Sequence, residues 1–229
     1  MLRQISLQKR GAATIDSFEL HLALKEIGVE HQVFLSTGNS LRHRWDQLGE
    51  SGDKVCWLNT YKRSIGSFVF SLFSFRWLKL LNKLKKGRSE AILATHFHPW
   101  LFFIAILKKN ICGRLIYIVH ENPFEPKEDD SRLMLCLQKF VLKRADILIT
   151  HSRSLKTSIE KKVQVKIFSF SLGAYNHYCS NLFFTKNNSD FTFLFLGRIE
   201  PYKGVDLLMK AFVGLPRQMP SLANQHLYK

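Results

Sequence analysis

A chain of 229 residues can hold one large or two modest domains. Hydrophobic residues make up 46% of it, enough for a real core, which excludes a disordered chain. No stretch reaches the ~18–20 uninterrupted apolar residues of a spanning helix. Its formal charge of +16 predicts attraction to something anionic: a membrane leaflet, a polyphosphate ligand or nucleic acid.

Short β-branched or aromatic runs alternate with helical patterns along the chain. Strands are predicted at 32–35, 54–58, 91–95, 115–119, 146–150, 165–170 and 192–196, with a weaker first strand at 3–7. Between the first two, Ile15, Phe18, Leu22 and Ile27 share one side of a helix that should stop at Gly28. Pro99 suits the first turn of an apolar helix running through Leu107. Apolar strands alternating with helices argue for an α/β fold, a parallel sheet with helices on both faces. In such sheets ligands sit beyond the carboxyl ends of the strands.

Residues 62–88 form an unusual surface candidate. On a helical wheel Arg76, Lys79, Lys83 and Lys86 share one face, and Phe70, Phe73, Trp77, Leu80, Leu81 and Leu84 another. A basic face beside an aromatic-rich one is the pattern of a helix lying on an anionic membrane, and equally of an amphipathic core helix with a solvated face. The first twenty residues carry no continuous apolar stretch, and Cys56, Cys112, Cys136 and Cys179 are scattered without a CxxC pair. A cytoplasmic location with reduced thiols is expected, peripheral on the inner face of the cytoplasmic membrane if 62–88 binds lipid.

Histidines cluster at predicted strand ends. Thr95-His96-Phe97-His98-Pro99 closes one strand and Val119-His120-Glu121-Asn122 the next. Imidazole and carboxylate are zinc ligands, but alternate residues share a face only while a strand continues, and Pro99 stops it. No metal is expected.

The polar, Asn/Ser-rich stretch 171–190 is the best place for a domain junction. Beyond it, Phe191–Phe212 reads as a buried strand, a glycine turn at Gly197, a loop carrying Arg198 and Lys203, and a second glycine, Gly204, opening a helix through Val205, Leu208 and Phe212. A strand running through glycine into a helix N-terminus makes an anion site, and two cations add charge and donors.

The string Gly197-Arg198-Ile199-Glu200-Pro201-Tyr202-Lys203-Gly204 resembles, without a gap, the signature of the retaining glycosyltransferases of family 4, which have the GT-B fold. The resemblance implies transfer of a sugar from a nucleotide-diphosphate sugar to a polysaccharide, lipopolysaccharide or lipid-linked acceptor, with no cofactor. It implies that Gly197, Arg198, Lys203 and Gly204 hold the donor diphosphate, and that His120 is the catalytic-site histidine beside donor and acceptor. Gly11-Ala12 stands where the family has two adjacent glycines. Ala145-Asp146 leads a strand ending at Ser152 and Arg153, expected at the cleft, and Gly173 survives from a further cleft loop.

By the same resemblance, 1–180 is an N-terminal, acceptor-side Rossmann-like domain. Residues 187–229 are then an incomplete start of the donor-nucleotide domain, only its first strand and helix. The chain is expected to be truncated there, without the paired glutamates that orient the donor. The charge keeps a second reading open, a non-catalytic basic module for nucleic acid or anionic membrane. No recognisable nucleic-acid motif accompanies it, so nucleic acid is not an expected partner.

Overall fold

The structure, a computed structural model, describes residues 1–9, 12–50, 52, 54–60, 75–86, 89–126, 131–171 and 203–218. The chain divides into two compact units, Met1–Tyr178 and Cys179–Lys229. The first contains β1 (Leu2–Ser6), α1 (Ala12–Glu26), β2 (His31–Ser36), α2 (Arg42–Glu50), β3 (Lys54–Leu58) and α3 (Arg76–Lys85). It continues through β4 (Ser89–Ala94), α4 (Leu101–Ile111), β5 (Cys112–Val119), α5 (Arg132–Arg144), β6 (Ile147–Thr150), α6 (Arg153–Glu160) and β7 (Lys166–Ser169). In the second unit the described element is α7 (Val205–Gln218).

All seven strands pair in parallel, in the order β3-β2-β1-β4-β5-β6-β7. The fold is therefore α/β, with a Rossmann-like sheet flanked by helices. Chain order reverses between β1 and β4, and the crevice beyond their carboxyl ends is where such sheets take ligands. The predicted strand 192–196 lies outside the described residues.

Alternation along β2 shows why the sheet needs cover on both faces. Val33 and Leu35 join Phe18 of α1 and Trp45 of α2 in one cluster, while Phe34 between them faces the larger core. That larger core takes Leu80, Leu81 and Leu84 of α3, Leu101 and Ile104 of α4, and Val141 and Leu142 of α5. The three α3 leucines are at most 3% exposed. The expected membrane-facing apolar side of this helix is therefore packed inside the protein over 76–85, and Trp77 stacks on Phe103 with centroids 4.1 Å apart. The basic side, Arg76, Lys79, Lys83 and Lys86, stays exposed. Residues 61–74, 87 and 88 of that stretch, Phe70 and Phe73 among them, lie outside the described residues.

Helix α1 ends as expected. Gly28 has φ +75°, and the amides of Gly28 and Val29 donate to the carbonyls of Lys25 and Leu24, a Schellman closure. Its buried face matches the expected one in part: Phe18 is buried and Leu22 packs beside it. Thr14, Ser17, Phe18 and His21 point inward, whereas Ile27 is 73% exposed beyond the last turn. His31 Nδ1 donates to the Val29 carbonyl at 2.8 Å, so its Nε2 accepts, also at 2.8 Å, from Nδ1 of buried His21. A polar helix face is thus docked by hydrogen bonds as well as by Phe18.

Two further devices hold the strands in register. Asp146, just before β6, accepts from the Leu115 amide (2.7 Å) and from Lys108 Nζ (2.6 Å), tying β5, β6 and α4 together. Phe75, ahead of α3, is the one non-glycine residue with positive φ (52°) among those described. Gly113 on β5 lies so close to β4 that an added Cβ would sit 2.7 Å from the Glu90 carbonyl oxygen. Gly113→Ala is expected to push these strands apart and cost about 1–3 kcal/mol, as overpacking does. An unchanged urea midpoint for that variant would show the contact to be slack.

Candidate functional site

The crevice between β1 and β4 is closed by a chain of buried hydroxyls. Ser17 Oγ lies 2.6 Å from Ser6 Oγ, 2.8 Å from Thr95 Oγ1 and 2.9 Å from the Ala13 carbonyl. A hydroxyl has one proton and two lone pairs, so these three partners use its full capacity. Gln4 Nε2 donates to the Ser17 carbonyl at 2.7 Å, and Gln8 Nε2 bridges the crevice to the Phe97 carbonyl at 2.7 Å. Helix α1 is thereby pinned to the ends of β1 and β4.

That pinning gathers four titratable side chains at the carboxyl ends of β4, β5 and β6. Asp16 follows from the docking of its neighbour Ser17, and its Oδ2 lies 3.6 Å from His96 Nε2. The His96 ring stacks on His120 with centroids 3.8 Å apart and planes within 9° of parallel. His151 stands on the far side of His120, centroids 5.0 Å apart. Nδ1 of His96 and Nδ1 of His151 are buried with no hydrogen-bond partner among the described residues.

The state of His120 can be read from its contacts. Its Nε2 lies 2.9 Å from the Thr95 carbonyl, which only accepts, so Nε2 carries the proton and Nδ1 the lone pair. Burial, reinforced by His96, pushes its pKa down to about 4, so the ring is neutral at pH 7. A neutral imidazole with one nitrogen anchored and a lone pair on the other suits acceptance of a hydrogen bond from a hydroxyl, while its low pKa makes it a weak base for taking the proton itself.

Asp16, His96 and His120 each present a possible metal ligand atom, and the three atoms lie within 4.8 Å of one another. The ring geometry opposes chelation. A metal lies in the plane of each imidazole that binds it, and planes nearly parallel with centroids 3.8 Å apart do not meet at one point. Binding an ion here would require one ring to rotate out of its stack. His98, the other half of the His-x-His pattern, is turned into the protein, where its Nδ1 accepts from the Trp100 amide at 3.3 Å. Burial pushes its pKa down to about 3.

Other predicted site residues are placed differently. Ser152 caps α6, its hydroxyl accepting from the Leu155 amide at 3.2 Å, so at least this capacity is structural. Arg153 is the exposed first residue of that helix, and Ala12 the exposed first residue of α1. In the second unit Lys203 is exposed, and Gly204 has φ +66° immediately before α7, with its carbonyl accepting from the Leu208 amide at 3.0 Å. Gly11, Gly173, Gly197 and Arg198 lie outside the described residues. Asp16 and His151 were missed by sequence reasoning; the rule that ligands gather past strand ends could have flagged His151.

No protein-family model matches the chain, and no curated protein matches it.

The two depressed histidines set a pH dependence. Unfolded imidazoles protonate near 6.5, whereas His120 and His98 do so in the native state only near 4 and 3. Between those limits the unfolded chain binds more protons, so stability is full above about pH 6.5 and falls on acidification. By pH 5 each histidine should have removed about 2 kcal/mol. Urea midpoints that stay constant from pH 7 to pH 5 would contradict this, and His120→Gln should flatten the slope.

Proposed function

We propose that the chain belongs to a metal-independent glycosyl-transfer system of the GT-B, family 4 kind. In this reading a sugar passes from a nucleotide-diphosphate donor to a saccharide or lipid-linked acceptor, with retention at the anomeric carbon. Such a protein would serve lipopolysaccharide or polysaccharide synthesis at the cytoplasmic side of a membrane. The observation that carries the reading is the uninterrupted string Gly197–Gly204 ending in a left-handed glycine at the mouth of α7. A left-handed glycine lets backbone amides approach a phosphate that a Cβ would hold off, and the helix dipole adds positive potential.

Arg198 and Lys203 are assigned to the departing diphosphate, whose charge grows as the glycosidic bond breaks. His120 is assigned to the acceptor side. Neutral, anchored through Nε2 and with its lone pair on Nδ1, it orients a sugar hydroxyl, with Asp16, His96 and His151 supplying the polar surround. The exposed basic face of α3 would hold the protein to an anionic leaflet at about 1 kcal/mol per cation. A non-catalytic basic binding module is the second reading, favoured by the net charge alone.

The decisive measurement is calorimetric titration of the whole chain with uridine and guanosine diphosphate sugars. Saturable binding is expected, weakened about tenfold or more by Arg198→Ala and by Lys203→Ala with circular dichroism unchanged. His120→Ala should lower sugar transfer while leaving donor affinity alone. Wild-type affinity in both cation variants would remove the diphosphate assignment, and absence of any saturable donor binding would favour the binding module.

A further inference from the structure

A concave site lies on the other side of β1 from the histidines, past the ends of β2 and β3. It is a cavity of about 540 Å³, within the ~300–1,000 Å³ of small-molecule sites. Arg76, Lys79 and Lys83, three and four residues apart on α3, all line it, together with the indoles of Trp57 and Trp100. Thr37 and Asn59 add neutral hydrogen-bonding groups, and no Asp or Glu is among the described lining residues.

We propose that this cavity binds an organic phosphate. Like charges three and four residues apart on a helix repel, and these three solvent-exposed side chains all border one cavity, Lys83 Nζ also donating to Cys56 Sγ at 2.8 Å. A doubly charged phosphate ester supplies the missing counter-charge and enough acceptor oxygens for three cations at once. A lone carboxylate would leave part of that charge unmet. Half-buried Trp57 gives the ligand's carbon skeleton an apolar wall, and Trp100, 1% exposed, closes the cavity from the core side. Arg42 lies over the Trp57 ring at 5.1 Å and braces that side chain. The core leucines of α3 aim the three cations, so the site is built by the fold. It does not depend on the glycosyl-transfer reading.

The phosphate ester could be a free metabolite or a phospholipid headgroup, and two arms of one experiment separate them. The whole chain is titrated at low salt with glucose 1-phosphate, and in parallel pelleted with phosphatidylcholine vesicles with and without phosphatidylglycerol. Saturable single-site binding is expected in at least one arm. Arg76→Gln or Lys79→Gln should weaken it about tenfold, and Lys143→Gln on α5, outside the cavity, should not. All three positions are exposed, so the variants should keep the wild-type circular dichroism and melting. Binding of glucose 1-phosphate alone identifies a free ester, and vesicle binding alone a headgroup. Failure of both arms, or equal weakening by the cavity and control variants, would overturn the proposal.

Discussion

The hydroxyl of Ser17 is the constraint on which the first unit's ligand-binding end depends. It is wholly buried and meets Ser6 at the end of β1 and Thr95 just past β4, the two strands flanking the point where chain order reverses. From there the consequences follow one another. Thr95, fixed through its hydroxyl and its amide bond to the Ile5 carbonyl, offers its own carbonyl to His120 and so sets that ring's tautomer. Ser17, fixed on α1, carries Asp16 to His96. One satisfied polar network in a low-dielectric crevice thereby orients four side chains from α1 and three strand ends.

The same network explains what lies on either side. Where a Rossmann-like sheet ordinarily opens between its first and fourth strands, small polar side chains here close the gap. The features that could meet a ligand lie to either side, the histidine cluster past β4, β5 and β6 and the cation-lined cavity past β2 and β3. Charge is divided likewise: the neutral imidazole of His120 on one side, three ammonium and guanidinium groups on the other.

Much of this was legible in the amino-acid order. The parallel sheet announced itself because buried strands such as Ile147–Thr150 are short apolar runs between helical stretches, and Gly28 stopped α1 where a left-handed residue was needed. Helix α2 was not foreseen, because among its nine residues only Trp45 and Leu48 face an apolar cluster, too few for a visible period. The face of α1 was legible only through Phe18 and Leu22 for a related reason: Thr14, Ser17 and His21 are buried by hydrogen bonding, and hydropathy does not register that. Asp16 was invisible because its partners His96 and His120 are remote in the chain and meet it only through the sheet. The amphipathic pattern of 76–86 was real, yet pattern alone does not say whether leucines face lipid or core. Packing against Phe103 and the sheet decided for the core over the described part.

Phe75 shows how firmly that decision is enforced. An L-residue with a side chain adopts left-handed backbone geometry at a cost of roughly 1–2 kcal/mol, and this phenylalanine is 60% exposed, gaining little from burial in return. Leu80, Leu81 and Leu84, buried in the core, hold α3 by its apolar side, and Phe75 takes the left-handed turn at its start. The direction in which the protein presents its positive charge is thus inherited from its oily interior, and electrostatics has no vote in it.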